Sequence, residues 1–470
     1  MSEKKTPVMG SPTSLEGRLP LRQAIPLGMQ HVFAMFAGNL TPILLITAAC
    51  GIASGSALQI TLLQHAMLIA GIMTLVQIFT IGPIGARLPI VMGISSGFIG
   101  VCRSVAGVMG GGIIGYGAIL GAGFVGGLFE VALGFCLKPL RKFFPPVVTG
   151  VVVLSIGLSL ISVGIGSFGG GSVAKDYGSP ENLLVGLIVL IAILLFKHKG
   201  RGIFSSASIL FGIIIGYIVC GIMALILPTI AEFEGAQFIK GWVLQWDKVT
   251  AASWFAVPKL FPVKLVFDTR AIIPIGIMFI VTAVETVGDI SGVAIGGLGR
   301  NATNKELSGG VIADGTGSFL ASLFGVLPNT SFSQNVGLIS MTKVVNRFSI
   351  SLGGVFLVLC GLLPKLAAII SIMPQSVLGG AAVMMFASIA VSGIQLITKE
   401  PITTRTITII SVSLGLGYGL GANSAALRYL PGVVSLIFGG SGIVPAAITA
   451  IILNIIIREE KKRVTEKVKN

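Results

Sequence analysis

Apolar runs of about 20 residues follow one another along nearly the whole chain, and the charged residues fall in the short segments between them. A helix of that length spans the hydrocarbon core of a bilayer, so each run is a candidate transmembrane segment. Clear candidates lie at 28–48, 60–80, 111–137, 146–166, 182–196, 205–228, 266–288, 348–370, 375–397, 402–421 and 431–457. Two others, 88–106 and 327–342, are short and interrupted by Gly, Ser or Asn. One more, 308–326, is Gly-rich and contains Asp314. Together they predict a polytopic all-α membrane protein of 14 segments. Composition excludes the competing classes. Only 10% of residues are charged, against about 25% in soluble domains, too few to cover a soluble enzyme. Disorder needs low hydrophobicity, and 54% of this chain is hydrophobic.

The net charge of +15, from 32 basic and 17 acidic residues, would suggest nucleic acid in a soluble protein. Here the basic residues cluster between apolar runs, as cytoplasmic loops do, so no nucleic-acid partner is expected. Placing the N-terminus in the cytoplasm and alternating sides puts most of them inside. Among these are Lys4, Lys5, Arg87, Lys138, Arg141, Lys142, Lys197, Arg300, Lys343, Lys399 and the tail from Arg458. An even number of spans puts both termini inside. The polar N-terminus does not read as a cleavable signal peptide. The 229–265 loop then lies outside, and its Trp242, Trp246 and Trp254 read as a ring at the headgroup level. The five cysteines are scattered without a Cys-x-x-Cys pair and read as small buried apolar residues. No cofactor or metal site is expected.

The two interrupted segments resemble each other. Residues 85–98 contain Leu88-Pro89 and 325–337 contain Leu327-Pro328, each followed by a patch of small and polar residues. Each occupies the third position of a set of seven spans. Seven is odd, so the two halves insert with opposite orientation, as inverted repeats do. Pro and Gly forbid a continuous helix there. Each segment is expected to run as an extended piece followed by a half-helix, and the two to meet near the midplane. Broken backbone at that depth is tolerated only where it is buried or faces water.

Ionisable residues at membrane depth are costly and point to function. Four carboxylates fall inside spans: Glu130, Glu285, Asp289 and Asp314. Glu130, eight residues before Lys138, reads as snorkelling toward the cytoplasmic face or pairing with basic residues there. Glu285 and Asp289 are four apart and share a helix face, with no Lys or Arg beside them in sequence. Burial and a second carboxylate nearby both favour the protonated form, so such a group can take up and release a proton. Asp289 is expected nearer the membrane face. Asp314 is read either as bonding the neighbouring broken segment or as part of the coupling site. His198 reads as solvated and His65 as interfacial. His31, inside the first span, reads as a hydrogen-bonded packing residue with a proton role open. Gln334 and Asn335 carry amides that both donate and accept. Beside exposed backbone they suit a planar neutral ligand better than an anion or a metal. The chain has no His-Glu-x-x-His, Gly-x-Ser-x-Gly or cysteine pair at membrane depth, so it is not expected to be an enzyme.

The run Gln334-Asn-Val-Gly-Leu-Ile-Ser-Met-Thr-Lys343 resembles the signature of the nucleobase–ascorbate transporter family (nucleobase–cation symporter 2), Gln/Glu/Pro-Asn-x-Gly-x4-Thr-Arg/Lys/Gly. Gln30-His31, Glu285 and Asp314 match the family's other polar landmarks, and the resemblance covers essentially the whole chain. It implies a core domain (28–142, spans 1–4, and 266–372, spans 8–11) and a gate domain (143–228, spans 5–7, and 373–457, spans 12–14). The remainder would be a cytoplasmic N-terminal tail (1–27), a periplasmic loop (229–265) and a cytoplasmic C-terminal tail (458–470). Members typically dimerise through the gate. The resemblance also implies proton-coupled symport of a purine nucleobase across a bacterial inner membrane by an elevator-like or rocking motion. Xanthine or urate is the expected substrate, because Gln334 stands where uracil-selective members tend to have Glu. A uracil or other nucleobase permease, or an uncoupled channel or anion carrier, stays open as an alternative. Substrate contacts are expected from Glu285, Gln334, Asn335, Ser95, Ser96 and His31, and proton coupling from Glu285, Asp314 and Asp289.

Overall fold

The computed structural model describes residues 10–140, 143–172, 174–233, 236–439 and 442–457. Lys4, Lys5, Arg141, Lys142 and the basic tail from Arg458 lie outside the described residues. The helices are α1 (Leu21–Ala49), α2 (Ala57–Phe79), α3 (Ile99–Val108), α4 (Gly112–Phe135), α5 (Leu137–Leu140), α6 (Pro146–Phe168), α7 (Pro180–Lys199), α8 (Ile203–Ser206), α9 (Ser208–Ile226), α10 (Trp246–Ala251), α11 (Thr269–Leu298), α12 (Asn304–Leu323), α13 (Ser333–Thr342), α14 (Arg347–Cys360), α15 (Pro364–Ser371), α16 (Gln375–Ile397), α17 (Thr404–Ala422), α18 (Gly432–Gly439) and α19 (Ile443–Ile456). The strands are β1 (Met92–Ile94), β2 (Ile230–Phe233), β3 (Ala236–Ile239) and β4 (Asn329–Ser331).

The helix ends follow local chemistry. Ser179 caps α7, which has Pro180 in its first turn and Lys197, His198 and Lys199 in its last, where cations complement the helix dipole. Thr303 and Glu306 form a capping box on α12. Among the described residues, eight helices are long and apolar enough to cross a membrane unaided. The 348–370 run is not one straight span. It is α14 and α15, bent by 84°, because Pro364 cannot continue a helix. The 431–457 run is likewise divided into α18 and α19.

The helices pack in two groups. In one, α4 lies along α11 and α12, while α1, α2 and α14 pack together and α15 adds to α2. In the other, α6 lies along α16, α7 along α9 and α16, and α17 along α19 and α6. Residues 229–265 form a β2–β3 hairpin, with Ile230 opposite Ile239, and then α10. Lys240 pairs with Glu181 at 2.8 Å and ties this loop to α7. Trp242 is fully buried, so it is no part of a headgroup ring, while Trp246 and Trp254 are exposed. His65 packs beneath the same loop. Its ring is buried between the Phe324 carbonyl (2.7 Å) and the Lys259 N–H (3.2 Å). Of the cysteines, Cys136 alone is exposed.

The two interrupted segments meet as expected. Pro89 and Pro328 keep each chain extended, and β1 and β4 pair antiparallel, Met92 opposite Ser331, Gly93 opposite Thr330 and Ile94 opposite Asn329. Two more backbone bonds extend the pairing, Ser95 N–H to the Pro328 carbonyl (2.9 Å) and Phe332 N–H to the Val91 carbonyl (3.0 Å). Strand pairing satisfies the backbone groups that a broken helix leaves open inside a membrane. Gly93 lets the crossing close: a Cβ there would stand 2.6 Å from the Phe332 ring and 2.7 Å from Asn39 Oδ1. The half-helices α3 and α13 start from this crossing, so their N-termini lie at the centre of the fold.

Candidate functional site

The long helix α11 passes the crossing and presents Thr282, Glu285, Thr286 and Asp289, all buried. Their spacing of three and four residues puts them on one face. The hydroxyls of the second broken segment reach that face. Asp289 accepts from Ser331 Oγ (2.7 Å) and Ser333 Oγ (2.8 Å), one on each carboxylate oxygen. Ser333 Oγ also lies 3.4 Å from Glu285 Oε1, and Glu285 Oε2 has no hydrogen-bond partner. Asp289 is thus tied into the crossing by hydroxyls on both of its oxygens.

Asp314 of α12 accepts from Thr330 Oγ1 of β4 (2.9 Å) and from Thr286 Oγ1 of α11. It joins the broken segment to the helix that carries Glu285, while its Oδ1 has no partner. Asn335 Nδ2 donates to the His31 carbonyl (3.0 Å) and faces His31 Nδ1 (3.2 Å). That leaves Asn335 Oδ1 and Ser95 Oγ buried without a partner. Gln334 and Ser96 are half-buried. Asn39 Oδ1 accepts from the Ile94 N–H (2.9 Å) and holds the first broken segment against α1.

Glu130 neither snorkels nor pairs with a basic residue. It is fully buried, with Oε1 accepting from Thr282 Oγ1 at 3.1 Å. It lies inside because α4 and α12 cross closely. A Cβ on Gly315 would stand 2.5 Å from the Val131 N and 2.6 Å from the Gly127 carbonyl oxygen. Only glycine at both helices permits that approach.

A small cleft of about 90 Å³ opens beside Asp289 and Ser333, between α11, α13 and α16. Lys399, just past the end of α16, is exposed at its mouth. Partial desolvation of its ammonium lowers its pKa, and Asp289 opposes that shift. On the opposite side, Arg103 of α3 and Ser162 of α6 line two wider clefts, of about 620 and 980 Å³. Sequence reasoning missed Lys399 and the hydroxyls Thr282, Thr286, Thr330, Ser331 and Ser333. The three in 330–333 lay in the polar patch already noted, whereas Lys399 carried no local signal.

Residues 22–424 match the sequence model Xan_ur_permease, described as a permease family. The chain belongs to this family, the nucleobase–ascorbate transporters. It is 32% identical to the xanthine permease XanP of Escherichia coli over 98% of both chains. It is 34% identical to the uric acid permease PucK of Bacillus subtilis, over 92% of this chain and 95% of that one. The fold is similar to that of two solved transporters. One is the transmembrane domain of a cyanobacterial bicarbonate transporter, BicA (16% identity, 90% of this chain and 98% of that one, TM-score 0.54). The other is the murine anion transporter Slc26a9 in its inward-facing state (11% identity, 92% and 68%, TM-score 0.58). The nucleobase–ascorbate transporter described here accordingly has the core and gate architecture of those transporters.

Proposed function

We propose that this transporter takes up a purine nucleobase, xanthine or urate, together with protons. The observation that carries the reading is the set of unpartnered polar atoms around the β1–β4 crossing: Glu285 Oε2, Asn335 Oδ1 and Ser95 Oγ. Buried polar groups normally have partners, and a planar base with N–H and C=O groups on its edges supplies them. Glu285 and Gln334 would bind the base edge, with Asn335, Ser95, Ser96 and His31 shaping the site. Glu285, Asp289 and Asp314 would carry or tune the proton. The names of the related permeases support the substrate class.

The core would comprise 28–142 and 266–372 and the gate 143–228 and 373–457, giving fourteen spans with the half-helices included. Both termini would be cytoplasmic, the membrane the bacterial inner membrane and the assembly a dimer through the gate. On that orientation the wide clefts at Arg103 face outward and the small cleft at Lys399 faces inward. A proton and base would bind from outside, and the core would then move against the gate and release both inside. A second reading, an anion carrier, would use Lys399 as its cation, but the carboxylates beside it disfavour an anion.

Uptake of labelled xanthine into proteoliposomes is the test. It should rise with an inward proton gradient, and Glu285→Gln should abolish that rise while the protein still inserts. Uptake indifferent to collapse of the gradient would sink the coupling. Wild-type behaviour of Glu285→Gln would remove that residue from the mechanism.

A further inference from the structure

Glu130 takes no part in the mechanism above, yet among the described residues it is the most deeply enclosed carboxylate together with Asp314, both at 0% exposure. Gly127 and Gly315 bring α4 and α12 together at this level, and a Cβ on Gly315 would stand 3.0 Å from the Glu130 carbonyl carbon. The two backbones therefore touch at this level, and Asp314, the residue preceding Gly315, is close enough to act on the Glu130 carboxyl. Each carboxyl has one oxygen bonded by a threonine of α11, Glu130 Oε1 by Thr282 and Asp314 Oδ2 by Thr286, which lie four residues apart. Each has its other oxygen, Glu130 Oε2 and Asp314 Oδ1, buried without a partner.

Among the described residues no cation serves this pair. α4 packs against α3, α5, α11 and α12. The charged groups of those helices that act on Glu130 are Asp314 and Glu285, both acidic. Asp289 of α11 is held by Ser331 and Ser333. Arg103, Lys138, Arg270 and Lys305 are exposed, and Glu306, at the start of α12, is paired with Arg300 just before that helix. Two ionised carboxylates side by side at membrane depth, without a counter-ion, are heavily disfavoured. One proton between the two free oxygens removes one charge and gives both atoms a partner.

We propose that Glu130 and Asp314 hold one proton between them, so that Glu130 is a proton-holding residue of the transport cycle. This rests on the proton-coupled reading. The proton sits between Glu130 Oε2 and Asp314 Oδ1. Thr286, bonded to Asp314 and one residue from Glu285, connects the pair to the site.

The test uses the full-length protein in lipid. Infrared spectra need no substrate, so they decide the proposal even if the protein carries no purine. The wild type should show a protonated-carboxyl C=O band that Glu130→Gln removes and Asp314→Asn displaces. In proteoliposomes, Glu130→Gln should lower the ratio of gradient-driven to undriven uptake about tenfold, within the usual 5–150-fold range of coupling between two ligands. Gln keeps the acceptor for Thr282, so a purely structural Glu130 would leave band and ratio as in wild type, and that result overturns the proposal. A band altered by Asp314→Asn alone overturns it too. Should Glu130→Gln fail to insert, Glu130→Asp takes its place. It withdraws the acid by one methylene and must shift the band, or the proposal falls.

Discussion

At the scale of single residues, the site pairs its carboxylates with hydroxyls instead of cations. Among the described residues no arginine or lysine lies within ion-pair distance of Glu285, Asp289 or Asp314, while Ser331, Ser333, Thr286 and Thr330 donate to them. A hydroxyl can bond a carboxyl in either charge state, as donor or acceptor, so a proton can arrive and leave without breaking the network. The Ser333 hydroxyl stands between two of these carboxyls, 2.8 Å from Asp289 Oδ1 and 3.4 Å from Glu285 Oε1. Ser333→Ala should leave Asp289 Oδ1 and Glu285 Oε1 without it, at a cost of about 1–3 kcal/mol. The expected readout is purine affinity weakened about tenfold with the protein still folded, and unchanged affinity in equilibrium binding would show that Ser333 does not organise the site. Gln334→Glu replaces an amide donor by an acceptor. In competition with a panel of nucleobases it should lower preference for xanthine about tenfold or more, because a site that loses a hydrogen bond leaves a buried group unpaired. An unaltered panel would place Gln334 outside the base edge.

At the scale of elements, the crossing of β1 with β4 and the crossing of α4 with α12 fix where those residues stand. The second depends on Gly127 and Gly315. Gly315→Val should push the helices apart and cost about 1–3 kcal/mol, the range for overpacking a tight contact. A lower unfolding temperature in detergent, with Glu130 and Asp314 unchanged, is the expected measurement, and a wild-type temperature would mean that the contact yields freely. The two crossings differ in how far the sequence foretold them. Leu88-Pro89 and Leu327-Pro328 announced broken segments, because proline and glycine act on their own backbone. The placement of Glu130 was not legible. It depends on which helix lies against α4, and nothing near residue 130 records that α12, some 180 residues on, approaches through glycine. The helix break at Pro364 was legible, but a continuous apolar run outweighed a single proline in the reading. The signature Gln334–Lys343 was readable as a pattern, though not that Asn335 turns to His31.

At the scale of the whole molecule, the two sides of the crossing are unequal. Between the two groups of helices, wide clefts open along α3 and the second half of α6, whereas between α13 and α16 the boundary leaves the small Asp289–Lys399 cleft. A boundary open at one end and nearly shut at the other is what alternating access requires of a single state. The narrow end is formed by α13, placed in the core by the proposed division, and α16, placed in the gate, with Val336 and Gln395 both lining the small cleft. In the proposed cycle, inward release of the base requires α13 to separate from α16 there. Val336→Cys with Gln395→Cys, in a background lacking Cys50, Cys102, Cys136, Cys220 and Cys360, should therefore lock the protein when oxidised. A disulfide needs Cα atoms within about 7 Å, so the pair closes only while the helices are together. Oxidation should arrest uptake and reductant should restore it, whereas binding of labelled xanthine from the open side should persist. Binding that persists while transport stops separates a blocked motion from a damaged site. A cross-linked protein that still transports would show that α13 and α16 stay together throughout the cycle, and the inward path would then have to open elsewhere along the core–gate boundary.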